Sequence, residues 1–149
     1  GKSSSKVPFE LLNSLNTTNP EISTKRRPRI LYVEDNEMNA EIVQIFLADQ
    51  FEVEIAVDGI STLHKIKSNN YHLILMDINL GAGIDGVITT KQIRKTPGYE
   101  KTPIIAITGY ALTKERDYFL QNGMTHYLAK PFRKNDLFEV INQALNVEI

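Results

Sequence analysis

Short apolar runs alternate with longer segments of mixed polarity, and the alternation repeats five times along the chain. The runs are Ile30-Leu31-Tyr32-Val33, Phe51-Glu52-Val53-Glu54-Ile55-Ala56-Val57, Leu73-Ile74-Leu75-Met76, Pro103-Ile104-Ile105-Ala106-Ile107 and His126-Tyr127-Leu128-Ala129. Three of the five are almost wholly apolar, as strands covered on both faces of a parallel sheet are, and the second alternates at its start. The segments between them carry helical spacing. Met38, Ile42, Ile45 and Phe46 line one face after the first run, and Leu63 and Ile66 after the second. Val87, Ile88 and Ile93 follow the third, Leu112, Phe119 and Leu120 the fourth, and Leu137, Ile141, Ala144 and Leu145 the fifth. Gly123 reads as a helix stop, and Asn69-Asn70 and Pro97-Gly98 as breaks. The pattern predicts an α/β fold, a doubly wound (βα)5 domain with a five-stranded parallel sheet in the flavodoxin-like order 2-1-3-4-5.

In such a sheet the C-terminal ends of all strands share one edge. The residues that close the runs are Glu34-Asp35, Asp77, Thr108 and Lys130-Pro131. Folding would bring three carboxylates, a hydroxyl and an ammonium into one pocket. Two carboxylates ~4 Å apart repel by about 4 kcal/mol at an effective dielectric near 20, and a bound cation removes that cost. Oxygen ligands favour magnesium. Zinc does not fit, because there is no cysteine and none of His64, His72 and His126 lies at this edge with metal-ligand spacing. A carboxylate can take a phosphoryl group as an acyl phosphate. Asp77, on the central strand, is the best nucleophile. Lys130 and a metal would neutralise phosphoryl oxygens, and Thr108 could donate a hydrogen bond to one. Taken singly, each group has an ordinary reading as a helix cap, turn residue or surface lysine. Their recurrence at corresponding strand ends is what points to a site.

Composition narrows the picture further. The 149 residues suffice for one domain, and the net charge of −1 gives no general attraction to nucleic acid or to anionic membranes. With no cysteine, disulfides and thiolate metal sites are excluded. No run approaches membrane-spanning length and no signal peptide is visible, so a cytoplasmic location is expected. Residues 1–28 differ in character. Val7 to Leu15 has the length of one or two helical turns, and the stretch from Asn16 to Pro28 is polar and punctuated by proline. They read as a linker or leader, with Lys25-Arg26-Arg27 as a solvated charge cluster.

The ordered segments Val33-Glu34-Asp35-Asn36, Met76-Asp77, Asp85-Gly86, Ala106-Ile107-Thr108-Gly109 and Tyr127-Leu128-Ala129-Lys130-Pro131-Phe132 resemble a response-regulator receiver domain of two-component signalling. The resemblance runs from about Arg29 to Leu145, within a domain taken as residues 29–149. It implies that Asp77 accepts a phosphoryl group from a phosphohistidine on a histidine kinase or a histidine phosphotransfer domain. It implies magnesium, with manganese able to substitute, held by Asp35 directly, by Glu34 through water, by Asp77 and by the backbone carbonyl of Asn79. Thr108 and Tyr127 would form a switch pair, and Lys130 would contact the phosphoryl group and precede a cis bond to Pro131. The domain would promote its own phosphorylation and could dimerise weakly or on phosphorylation. Two departures stand out: the loop 79–86 lacks the family's proline and is one residue longer, and no output domain is expected after Ile149.

The context expected from the leader is the C-terminal receiver of a hybrid sensor histidine kinase, with a single-domain response regulator as the alternative. Two other classes compete. Gly81-Ala82-Gly83-Ile84-Asp85-Gly86 matches the glycine pattern of a dinucleotide-binding loop. It lacks the acidic residue about 20 positions on and sits beside Asp77, whose charge would oppose a pyrophosphate. An aspartyl-phosphate hydrolase would place a second aspartate where Asn79 stands, and an amide supplies no general base.

Overall fold

The structure is a computed structural model that describes residues 27–78, 85–109 and 113–146. The leader reading therefore falls almost wholly outside the described residues, as do Asn79 and the glycines of the 81–84 loop. Five strands run in parallel: β1 (Arg29–Val33), β2 (Glu52–Ala56), β3 (Leu73–Asp77), β4 (Ile104–Thr108) and β5 (His126–Ala129). They pair in the order β2-β1-β3-β4-β5, as the pattern of runs predicts. The helices between and after them are α1 (Glu37–Leu47), α2 (Gly59–Ser68), α3 (Gly86–Arg94), α4 (Thr113–Gln121) and α5 (Lys134–Leu145). Among the described residues no helix is long and apolar enough to cross a membrane.

Strand alternation divides the core in two. Leu31, Val33, Ile74, Met76, Ile104 and Ala106 face α2, α3 and α4, where they meet Ile66, Ile93 and Phe119. Ile30, Tyr32, Leu73, Leu75, Ile105 and Ile107 face α1 and α5, where they meet Val43, Leu47, Leu137 and Ile141. β1, β3 and β4 are therefore covered on both faces, which is why their sequences are apolar without interruption. Both Asp77 and Thr108 belong to their strands rather than following them.

The helix ends carry their own signals. Asn36 caps α1 by accepting from Asn39 N–H at 2.9 Å, and Asp85 caps α3 by accepting from Ile88 N–H at 3.0 Å. Asp58 and Ser61 form a reciprocal capping box at α2. Gly123, at φ 102°, closes α4 as its spacing predicts, with Met124 N–H donating to Phe119 O and Gly123 N–H to Leu120 O. Gly86 sits at a close approach: a Cβ there would lie 2.6 Å from Ile78 Cδ1 and 3.0 Å from Met76 Cγ, and both side chains would have to shift.

One helix is turned from its sequence reading, of whose four residues only Phe46 packs against the core. Met38, Ile42 and Ile45 are outside the core, with Met38 69% and Ile45 68% exposed. The buried face of α1 is Ala40, Val43 and Leu47. Both sets obey helical spacing, so periodicity alone does not choose between them. Ile88 on α3 and Leu120 on α4 are likewise exposed, whereas Leu63, Ile66, Ile93, Phe119, Leu137, Ile141, Ala144 and Leu145 pack inward as read.

A polar network closes the N-terminal edge of the sheet. Arg29 pairs with Glu54, its guanidinium lies 5.0 Å from the centroid of the Tyr71 ring, and Tyr71 O–H donates to Glu54 at 2.5 Å. Tyr99 O–H donates to Asn69 O at 2.5 Å and accepts from Tyr71 N–H at 3.1 Å. The Tyr71 hydroxyl, with help from Arg29, holds the Glu54 carboxyl below the ordinary glutamate range against the opposing effect of burial. A depressed folded pKa adds stability above the unfolded pKa, and that stability is lost as pH falls through the folded value. Tyr71→Phe should therefore lower unfolding free energy by about 1 kcal/mol at pH 7. In urea titrations the deficit should shrink toward pH 3, and a deficit that stays constant would refute the role given to Glu54.

Candidate functional site

β1 and β3 lie side by side, with Val33 opposite Met76, so the residues that end them meet at one edge. Glu34 follows β1 and remains tied to the sheet through its N–H, which donates to Ala56 O at 2.8 Å. Asp35 turns out to solvent, and Asp77 ends β3 with its side chain only 6% exposed. Carboxylate oxygens of Glu34, Asp35 and Asp77 lie within 4.8 Å of one another. The three acids expected to meet do meet, although Asp77 is more than forty positions from the other two.

Lys130 enters from β5. Its N–H donates to Thr108 O at 2.8 Å, and its Nζ lies 2.6 Å from Asp77 Oδ1. The contact is an ion pair outside hydrogen-bond geometry, so Oδ1 is buried without a hydrogen-bond donor among the described residues. The Lys130–Pro131 bond is cis, as expected. Thr108 is fully buried at the end of β4. Alternation sets it on the same face of the sheet as Ala106, whose register partner is Tyr127. Tyr127 is half-buried against the α2–α4 side of the core, and the guanidinium of Arg116 on α4 sits 4.6 Å from its ring centroid. Asn79, the remaining expected ligand, lies outside the described residues. The histidines are elsewhere. His72 Nδ1 accepts from Arg29 N–H at the opposite edge, His126 contacts Thr125 at the start of β5, and His64 is exposed on α2.

Burial pushes the Glu34 carboxyl up, and the neighbouring Asp77 adds to the effect. Two donors pull it back: Asn36 N–H to Oε2 at 3.0 Å and Tyr32 O–H to Oε1 at 2.9 Å. Tyr32 did not figure among the sequence-predicted site residues. The available signal was its hydroxyl in an otherwise aliphatic strand, two positions before Glu34 and hence on the same face. Arg116 had no such signal, because only the fold brings it to Tyr127.

The donor set suits a hard cation. All side-chain groups are oxygens, two of the three acids are buried, and one buried oxygen of Asp77 has no hydrogen-bond donor. A divalent cation placed among them would relieve the mutual repulsion and satisfy that oxygen.

Known proteins resemble this chain in sequence and in fold. The family model described as the response regulator receiver domain matches residues 30–142. Hybrid signal transduction histidine kinase G of Dictyostelium discoideum is 41% identical over 126 residues, and sensor histidine kinase GacS of Pseudomonas protegens is 34% identical over 125. These matches cover 82% and 81% of the chain but only 4% and 14% of the relatives' own lengths. The receiver domain of a sensor histidine kinase from Pseudomonas aeruginosa superposes with a TM-score of 0.72 at 35% identity, covering 80% of this chain and 98% of that one. That structure holds a magnesium ion coordinated in its active-site cleft. The chemotaxis response regulator CheY4 of Vibrio cholerae superposes with a TM-score of 0.75 at 27% identity, covering 80% of this chain and all of the other. With the family match running from β1 into α5, this chain belongs to the receiver domains of two-component signalling, modules found in hybrid histidine kinases and response regulators alike.

Proposed function

We propose that Asp77 is the phosphoacceptor of this receiver domain, that Asp35, Glu34 and Asp77 with the Asn79 carbonyl hold magnesium, and that Lys130, Thr108 and Tyr127 act on the phosphorylated state. The observation that carries this reading is the convergence of three carboxylates within 4.8 Å, with Lys130 Nζ 2.6 Å from Asp77. An oxygen of Asp77 attacks the phosphorus of a phosphohistidine. The O–P bond forms as the P–N bond breaks, and the imidazole leaves with its electron pair. Lys130 gives up its ion pair to Asp77 and turns its charge to the phosphoryl oxygens. Receiver domains bind magnesium in their active sites, and the bound ion neutralises charge on carboxylate and phosphoryl oxygens. Here Asp35 is open to solvent, whereas both oxygens of Glu34 already accept a donor. That difference favours Asp35 as the direct ligand and Glu34 as one acting through water.

Receiver domains work with histidine kinases or phosphotransfer partners. The outward face of α1 supports a helical donor domain for this one. Met38, Ile42 and Ile45 form an exposed apolar strip. Beside it a groove of ≈ 480 Å³ is lined by Ile42, Phe46, Lys130, Pro131 and Phe132, so a domain seated there would stand next to Lys130 and Asp77. The hybrid kinases among the relatives support the C-terminal receiver of such a kinase as the parent context. A stand-alone response regulator is the second reading.

After transfer, Thr108 moves toward the phosphoryl oxygens and Tyr127 follows inward, leaving its cation–π contact with Arg116. The phosphoryl group adds roughly one to two negative charges, and its tighter hold on one packing shifts the population.

Three outcomes test these assignments. Asp77→Asn should stay folded and lose labelling by a phosphorylated kinase, and wild-type labelling should require magnesium or manganese and stop with EDTA. Undiminished base-labile labelling of the variant would refute the phosphoacceptor. Asp35→Asn should raise the magnesium dissociation constant at least roughly tenfold, and more than Glu34→Gln does; the reverse order in a titration would overturn the ligand assignment. Thr108→Ala should still accept phosphate while its amide shifts over residues 104–130 respond far less to beryllofluoride than those of wild type. A full response would remove Thr108 from the switch and leave it as a buried strand residue.

A further inference from the structure

We infer that Tyr32 is a positioning residue for the cation site, holding the Glu34 carboxylate in place through its buried hydroxyl. The inference rests on the metal-site reading above. Tyr32 belongs to the apolar cluster beneath α1 and α5 and is 1% exposed. Among the described buried members of that cluster it alone carries a polar side-chain atom. Phenylalanine would fill nearly the same volume without the cost of burying a hydroxyl, so packing does not explain the oxygen. What the oxygen does is donate to Glu34 Oε1 at 2.9 Å.

The geometry follows from the strand. Residues 32 and 34 project to the same side of β1, and that side faces the other acids. Glu34 is itself 1% exposed, so bulk water has little access to replace a lost donor. Asn36 N–H fixes Oε2 and Tyr32 O–H fixes Oε1. A carboxylate held at both oxygens cannot swing about its last bond, and its remaining lone pairs stay aimed at the space shared with Asp35 and Asp77. Removing the hydroxyl frees one oxygen to turn away, toward whatever donor it can find. Outer partners of this kind orient metal-binding groups, and their loss typically weakens metal affinity by roughly 10- to 100-fold.

Tyr32 also contributes to the groove between α1 and the Lys130–Phe132 segment. Its ring thus belongs to the docking side and its hydroxyl to the metal side.

The test is a magnesium titration of the 149-residue chain followed by amide shifts at Asp35 and Asp77, for wild type, Tyr32→Phe, Glu34→Gln and the double variant. Tyr32→Phe should raise the dissociation constant roughly tenfold, while its labelling rate at saturating magnesium returns close to wild type. In the Glu34→Gln background the same change should add less than about twofold, because the group that Tyr32 orients is already altered. A shift of less than about twofold in the single variant, or an equal loss in both backgrounds, would overturn the role of Tyr32. Wild-type protein that shows no magnesium response would instead overturn the metal site on which this inference stands.

Discussion

Mutual repulsion among Glu34, Asp35 and Asp77 is the constraint that the rest of the structure answers. Carboxylate oxygens within 4.8 Å of one another, two of the residues buried, form an arrangement that no local segment would adopt by itself. It is imposed from below, by the parallel pairing of β1 with β3 and by strands so apolar that they have nowhere to go but the centre of the sheet. It is also answered from the sides. Lys130 supplies a positive charge, and Asn36 and Tyr32 supply hydrogen-bond donors. The fold thus holds a cluster of negative charge ready, and the cluster is cheapest when a cation occupies it. Stability and function oppose one another here. A site built for folding alone would have placed an asparagine or a valine where one of these acids stands.

The fold was legible because it is written in the coarsest signal a sequence carries. Fully covered strands must be apolar throughout, so β1, β3 and β4 show as unbroken runs, and the ends of β1 and β3 are marked by the sudden appearance of charge. The site was legible for the same reason: Asp77 and Lys130 are conspicuous at the ends of Leu73–Met76 and His126–Ala129. What failed was the choice between two faces of one helix. In α1 the sequence offers Met38, Ile42, Ile45 and Phe46 as the inner face, and of these only Phe46 packs inward, beside Ala40, Val43 and Leu47. The larger side chains gave the stronger apolar signal, but the sheet takes the side on which Ala40 lets the helix lie close. Periodicity reports that an apolar face exists and says nothing of which neighbour will cover it. Tyr32 escaped notice for a different reason. Its aromatic ring satisfied the strand pattern, and the pattern does not register one buried oxygen.

The two edges of the sheet treat polar groups differently. At the N-terminal edge Arg29, Glu54, Tyr71, Tyr99 and Asn69 satisfy one another in a closed set of ion pairs and hydrogen bonds. Arg94 adds to this region by donating to Gly123 O and Tyr99 O. At the C-terminal edge the buried Oδ1 of Asp77 meets Lys130 as an ion pair outside hydrogen-bond geometry. Buried polar groups that are fully paired fix a structure, and those satisfied only in part can still take up a further partner.

The orientation of α1 bears on how such a chain can diversify. Its eleven residues answer to two separate demands. Ala40, Val43 and Leu47 are bound to the fold, and truncating a buried leucine such as Leu47 costs about 2–5 kcal/mol. Met38, Ile42 and Ile45 stand outside both apolar clusters, and exchanging exposed side chains usually changes stability by no more than about 0.5 kcal/mol. Substitutions can accumulate on the outer side with little penalty in folding, even though they fall on the same helix, often at adjacent positions. If the proposed donor seats on that side, duplicated copies of such a chain could drift apart in what they recognise while remaining the same folded object.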